Sequence, residues 1–118
     1  MTLLLLNEDE LRQTVTISEA IEAVETALIA SDEGRVNTPG QFTLNLPDVK
    51  GEVDVKSTYV QDTPFYVIKV DSHFQDNPTI NLPANSGLVA RNWINWRRAS
   101  VFLLMVSNFS PKIAYSIH

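Results

Sequence analysis

Lys69 is the residue whose surroundings most need a chemical reason. It stands inside Phe65-Tyr66-Val67-Ile68-Lys69-Val70, a run that is apolar on both faces of an extended chain, and a lysine is seldom buried without a partner. Two readings are open. The side chain either snorkels to a sheet edge or pairs with a carboxylate such as Asp71 or Asp54, or it is a cation that holds an anionic substrate group in a cleft. Other chemistries are excluded by counting. The chain has no cysteine, which removes disulfides, thiolate metal sites and a cysteine nucleophile together. His73 falls in a predicted loop and His118 at the terminus, so no histidine-rich metal site is expected. A serine nucleophile elbow, Gly-x-Ser-x-Gly, does not occur. The four glycines, Gly34, Gly40, Gly51 and Gly87, include no pair two apart, so neither a dinucleotide loop nor a phosphate loop is present. No catalytic, metal-binding or cofactor-binding residue is identified in these 118 residues.

Composition narrows the class further. With 44% apolar and 19% charged residues the chain has the make-up of a folding globular domain, long enough for one core. A formal charge of −5 argues against nucleic-acid binding, which needs a basic footprint to meet phosphates. The apolar start, Met1 to Leu6, has no basic region before it and runs into Asn7-Glu8-Asp9-Glu10, unlike a secretory signal. The longest later apolar run, Val101 to Val106, is far below the roughly 20 residues of a membrane span. A cytoplasmic location is expected.

The elements that must position Lys69 are legible from periodicity. Leu3 to Leu6 reads as a short buried strand, and Asn7 with Glu10 as the capping pair of a helix over Glu8 to Gln13. Thr16-Ile17-Ser18-Glu19 fits a second capping box. Behind it Ala20, Ile21, Val24, Ala27 and Leu28 recur at helical spacing, with Gly34 placed to stop the helix. From Phe42 the period becomes two: Phe42 to Leu46 alternates up to Pro47, and Val53, Val55, Ser57 and Tyr59 share one face of a second strand. Phe65 to Val70 is predicted to be a central strand after a turn at Gln61 to Pro64, followed by a polar loop from Asp71 to Ser86 and a final strand from Gly87. The expected fold class is α+β, an amphipathic helix packed on a mostly antiparallel sheet.

An ordered set of segments carries a resemblance. Behind the helix containing Ser18-Glu19-Ala20-Ile21-Glu22-Ala23-Val24 come Asn37-Thr38-Pro39 before Phe42-Thr43-Leu44, then Tyr66-Val67-Ile68-Lys69-Val70, Asn77-Pro78, and Asn81-Leu82-Pro83-Ala84-Asn85-Ser86-Gly87-Leu88. In this order and spacing, residues 1 to about 90 resemble the amino-terminal part of the ornithine cyclodeaminase and mu-crystallin family. The resemblance implies a substrate-binding and dimerising α+β domain built from both ends of a longer chain, with a nicotinamide-binding Rossmann domain between them. It implies that Lys69 binds an amino-acid substrate near its carboxylate. The family arginine two residues after the proline corresponds to Gln41, which donates hydrogen bonds but supplies no charge and no bidentate clamp. The family's second arginine, catalytic aspartate and nicotinamide loop lie beyond the matched region. The 118 residues alone are therefore expected to hold no NAD and to show no turnover. The expected partners are a small amino-acid substrate and a second copy of the chain joined through the sheet.

Residues 91 to 118 read differently. Residues 1 to 90 carry fourteen acidic and five basic residues, −9, while residues 91 to 118 carry four basic residues (Arg91, Arg97, Arg98, Lys112), no acidic one and both tryptophans, +4. The sign changes at Ala90 with no linker, which favours a shifted frame or truncation over a natural second domain. The tail is expected to be an unselected sequence packing where the family's next strand belongs. The alternative is a stand-alone binding module, whose basic aromatic tail, Trp93, Trp96, Arg97 and Arg98 with Val101 to Met105, docks a partner or a membrane surface as a helix.

Overall fold

The computed structural model describes residues 2–94 and 100–106 of the 118; of Thr2, Leu3, Trp93 and residues 100–106 only the backbone is described. Seven strands form one sheet: β1 (Thr2–Leu6), β2 (Val36–Asn37), β3 (Phe42–Leu46), β4 (Gly51–Val60), β5 (Phe65–Phe74), β6 (Asn85–Trp93) and β7 (Ser100–Val106). The order is β1-β7-β6-β5-β4-β2, with β3 also on β4. All pairings are antiparallel except β1 with β7. Two helices, α1 (Glu8–Thr14) and α2 (Ile17–Asp32), complete an α+β fold.

Both helices begin where the capping residues dictate. In α1 the Glu10 amide donates to Asn7 Oδ1 at 2.8 Å and the Asn7 amide to Glu10 Oε2 at 2.9 Å. Thr16 and Glu19 repeat the exchange at 3.2 and 2.8 Å for α2, so each box satisfies two amides that the first helical turn leaves unpaired. Gly34, at φ +72°, ends α2 in the left-handed region. Its amide donates to Ser31 O at 3.1 Å and the Arg35 amide to Ala30 O at 2.9 Å, the paired bonds of a Schellman stop.

The cover that α2 gives the sheet is slight. Ala30 is the buried apolar residue among those described, at 2% exposure, whereas Ile17, Ile21, Val24 and Leu28 on one helical face are exposed, Ile17 at 79% and Leu28 at 64%. On the sheet, Phe42 is 61% exposed. The apolar stripe expected to seal the sheet thus stays open to another surface.

Two expected boundaries move. β5 does not end at Val70 but runs to Phe74, and β6 opens at Asn85, so the loop expected from Asp71 to Ser86 shrinks to residues 75–84. Asp71, Ser72 and His73 are poor strand formers, yet each pairs on both sides, for example Asp71 with Asp54 and Gly87. Phe74 crosses Gly51 so closely that a Cβ there would collide with its ring. At the other end β6 passes Ala90 without a break, and Arg91 and Asn92 continue its ladder with Val67 and Tyr66. Val101 to Met105, weighed as part of a helix, lie in β7 between β1 and β6. Trp96, Arg97, Arg98 and Lys112 fall outside the described residues.

These placements set stability expectations. Thr16→Ala should lower the unfolding free energy by about 1 kcal/mol through loss of the cap. Leu28→Ala, though a large apolar truncation, should stay within about 0.5 kcal/mol because the side chain is exposed. Urea unfolding followed by circular dichroism compares the two.

Candidate functional site

Alternation along β4, β5 and β6 decides which side chains meet. In the register Lys56 faces Lys69, Asp54 faces Asp71 and Glu52 faces His73; Lys69, Asp71 and His73 in turn face Val89, Gly87 and Asn85. Side chains two apart on a strand share a face, so one face of the central ladder collects Glu52, Asp54, Lys69, Asp71, His73 and Asn85. They line a cavity of about 350 Å³ together with Ser72, Ser86 and Gly87. Gly87 lines it opposite Asp71.

Lys69 is not buried. Its side chain is 50% exposed and Nζ lies 2.9 Å from Asp71 Oδ2, a carboxylate itself 45% exposed. The pairing with Asp71 that the sequence left open is therefore present. It leaves the cation reachable from the cavity, because an exposed pair is worth only about 0–1 kcal/mol. His73 Nδ1 lies 2.6 Å from Asn85 Oδ1, its partner in the ladder.

Gln41 does not line this cavity. It stands just before β3 and is joined to the cavity by a polar relay: Gln41 Nε2 donates to Thr43 Oγ1 at 3.3 Å, and Thr43 Oγ1 donates to Asp54 Oδ1 at 2.7 Å. The Thr43 bond, opposed by partial burial and aided by Gln41 and the charge of Lys56, holds the Asp54 carboxyl below its ordinary range. A second cavity of about 180 Å³ is lined by Asn37, Pro39, Ser57, Thr58, Tyr59 and Tyr66.

The loop between β5 and β6 fixes the far wall. The Phe74 amide donates to Ala84 O at 2.8 Å. Asn77 Nδ2 donates to Pro83 O at 3.1 Å, and Asn81, at φ 61°, accepts the left-handed turn. The asparagine and proline spacing that carried the resemblance thus closes the segment that brings Asn85 beside His73. His73 and Asn85 were missed as lining residues because the strand was ended at Val70; extending the two-residue period by four positions would have found His73 on the Lys69 face. Among the described residues no group of three or more histidine, aspartate or glutamate side chains is placed to hold a metal ion. No helix among them is long and apolar enough to cross a membrane.

Removing the Thr43 donor tests the relay. With Thr43→Val the Asp54 carboxyl should titrate at higher pH, read from its carboxyl carbon shift. Because the folded value is depressed, the stability from Asp54 is present above the ordinary carboxylate range and is lost as pH falls through the folded value. The variant should be less sensitive to acid in that window.

Known proteins share the sequence pattern and the fold of this chain. No family profile matches the chain. A protein of Sinorhizobium fredii named as a cyclodeaminase, y4tK, is 38% identical over 90 residues, 75% of this chain and 27% of its own length. A protein of Rhizobium meliloti named as a dehydrogenase, RB0419, is 40% identical over 86 residues, 72% of this chain and 26% of its own. The chain thus spans about a quarter of the length of the curated relatives it matches. Among solved structures, the Δ1-pyrroline-2-carboxylate reductase of Thermococcus litoralis, in complex with NADH and L-proline, superposes with a TM-score of 0.77 at 22% identity, over 86% of this chain and 31% of that one. The iminosuccinate reductase of Paracoccus denitrificans, in complex with NAD+, gives 0.78 at 14% identity over 89% and 32%. An archaeal alanine dehydrogenase dimer with bound NAD gives 0.75 at 22% identity over 87% and 31%. Residues 1 to about 90 therefore belong to the ornithine cyclodeaminase and mu-crystallin family, as its amino-terminal portion.

Proposed function

We propose that residues 1 to about 90 form the substrate-facing part of an amino-acid or imino-acid site in an NAD-dependent enzyme of this family. The parent activity is the deamination or cyclisation of ornithine or a related amino acid. In this reading the ligand carboxylate is taken by Lys69, and Gln41 stands in the place of the family arginine as an uncharged donor. The observation that carries the reading is the cavity of about 350 Å³ with Lys69 on its wall, in a chain whose fold matches a reductase solved with L-proline and NADH. Hydride transfer needs a cofactor held and oriented by protein groups. The resemblance places those groups beyond residue 90, so these 118 residues by themselves bind ligand weakly and do not turn over. Residues 100–106 add strand β7 to the sheet. A cytoplasmic setting, suited to a chain without cysteine, belongs to the same proposal.

The open apolar face of the sheet gives the second copy its place. Phe42 and Leu44, with Tyr66 farther along the same face, lie on the side opposite Lys69 by alternation and are exposed large side chains, the kind of surface that association covers. The archaeal alanine dehydrogenase is a dimer, which supports pairing of two copies, and the exposed apolar side chains point to this face. The reading of the tail as a membrane or partner anchor has less support, because Val101 to Val106 are engaged in β7.

Calorimetric titration of the 118-residue chain with NAD should give no saturable heat, whereas tight uptake would overturn the assignment. Gln41→Arg brings a positive charge to the relay that ends at Asp54 and should strengthen binding of the L-proline carboxylate several-fold, about 1 kcal/mol. Leu44→Glu should shift the sedimentation coefficient from dimer to monomer, and an unchanged coefficient would refute pairing through this face.

A further inference from the structure

We infer that Asp71 determines the charge type of the ligand, so that the cavity accepts α-amino and imino acids as zwitterions and rejects carboxylates that carry no cationic nitrogen. The inference rests on the proposed carboxylate role of Lys69. Lys69 Nζ and Asp71 Oδ2 lie 2.9 Å apart on one strand face, with both side chains about half exposed at the cavity wall. An exposed pair of this kind exchanges partners at little cost. A zwitterion carries the complementary pair on adjacent atoms. Its carboxylate meets the Lys69 ammonium while its own ammonium meets Asp71, so each protein charge gives up one partner and gains another.

A bare carboxylate gains only half of this. It would draw Lys69 from Asp71 and leave that carboxylate unpaired, facing Asp54 across the ladder with Glu52 on the same wall. Three carboxylates against Lys69 and its cross-strand neighbour Lys56 leave this face net negative, so an anion without its own cation is repelled. Gln41, which brings no positive charge to the relay ending at Asp54, does nothing to offset this. Lys69 supplies the attraction and Asp71 the selection.

L-Proline and cyclopentanecarboxylate, nearly isosteric but differing in the ring nitrogen, separate the two. Titrated into the 118-residue chain and followed by amide shifts, L-proline should bind at least about tenfold more tightly, as expected for one charge-assisted contact. Asp71→Asn should reduce that preference at least about fivefold by weakening proline, and Lys69→Met should abolish binding of both. Asp71→Ser serves if the first variant does not fold, and the wild-type comparison needs neither. A smaller wild-type preference, or one that survives loss of the Asp71 charge, overturns the inference while leaving Lys69 as a carboxylate site. Binding that persists in Lys69→Met, or no saturable binding of either ligand, overturns the underlying reading as well.

Discussion

The register of the β4-β5-β6 ladder is the constraint on which the site depends. Nine consecutive pairs, from Gly51 with Phe74 to Tyr59 with Tyr66, lock β4 to β5, and a slip of one residue would turn every side chain to the other face. With the register held, Lys69, Asp71 and His73 must share a wall with Glu52, Asp54 and Asn85. The apolar set of Val53, Val55, Ile68, Val70 and Leu88 must lie behind it. Local devices at both ends keep this pairing. Gly51 lets Phe74 cross, and the Asn77 and Asn81 turn returns the chain in time for Asn85 to meet His73.

The same sheet explains why the domain is unfinished as a hydrophobic object. A helix with its apolar side chains in solvent and a sheet with Phe42 exposed at its apolar face bury little surface for each residue ordered. Hydrogen bonding is extensive, but hydrogen bonds to water are exchanged for internal ones at small net gain. Additional protein surface against α2 and the apolar face would supply the missing burial. This agrees with a chain that covers about a quarter of its relatives' length.

Much of this was legible in the residues, and the part that was not has a physical cause. Capping boxes are local, so Asn7 with Glu10 and Thr16 with Glu19 announced both helix starts, and Gly34 the end of the longer one. The two-residue period fixed the faces of β3 and β4. The end of β5 was misjudged because Asp71 and His73 are weak strand formers held by neighbours on both sides, and such pairing is a long-range effect that propensity does not contain. Backbone pairing is indifferent to side-chain charge, so β6 continues past the charge change at Ala90 through Arg91 and Asn92. For Lys69, composition posed the question and offered both answers. The structure keeps the carboxylate partner and the open cavity together.

Residue-by-residue shift mapping of the isotope-labelled chain during addition of L-proline tests the central claim most directly. If the ladder builds one ligand-facing wall, the amides of residues 52–54, 69–73 and 85–87 move together along one saturable isotherm, while those of α2 and of Phe42 and Leu44 stay still. Shifts centred on α2 or on Phe42 and Leu44, or separate isotherms for the three strands, would contradict it.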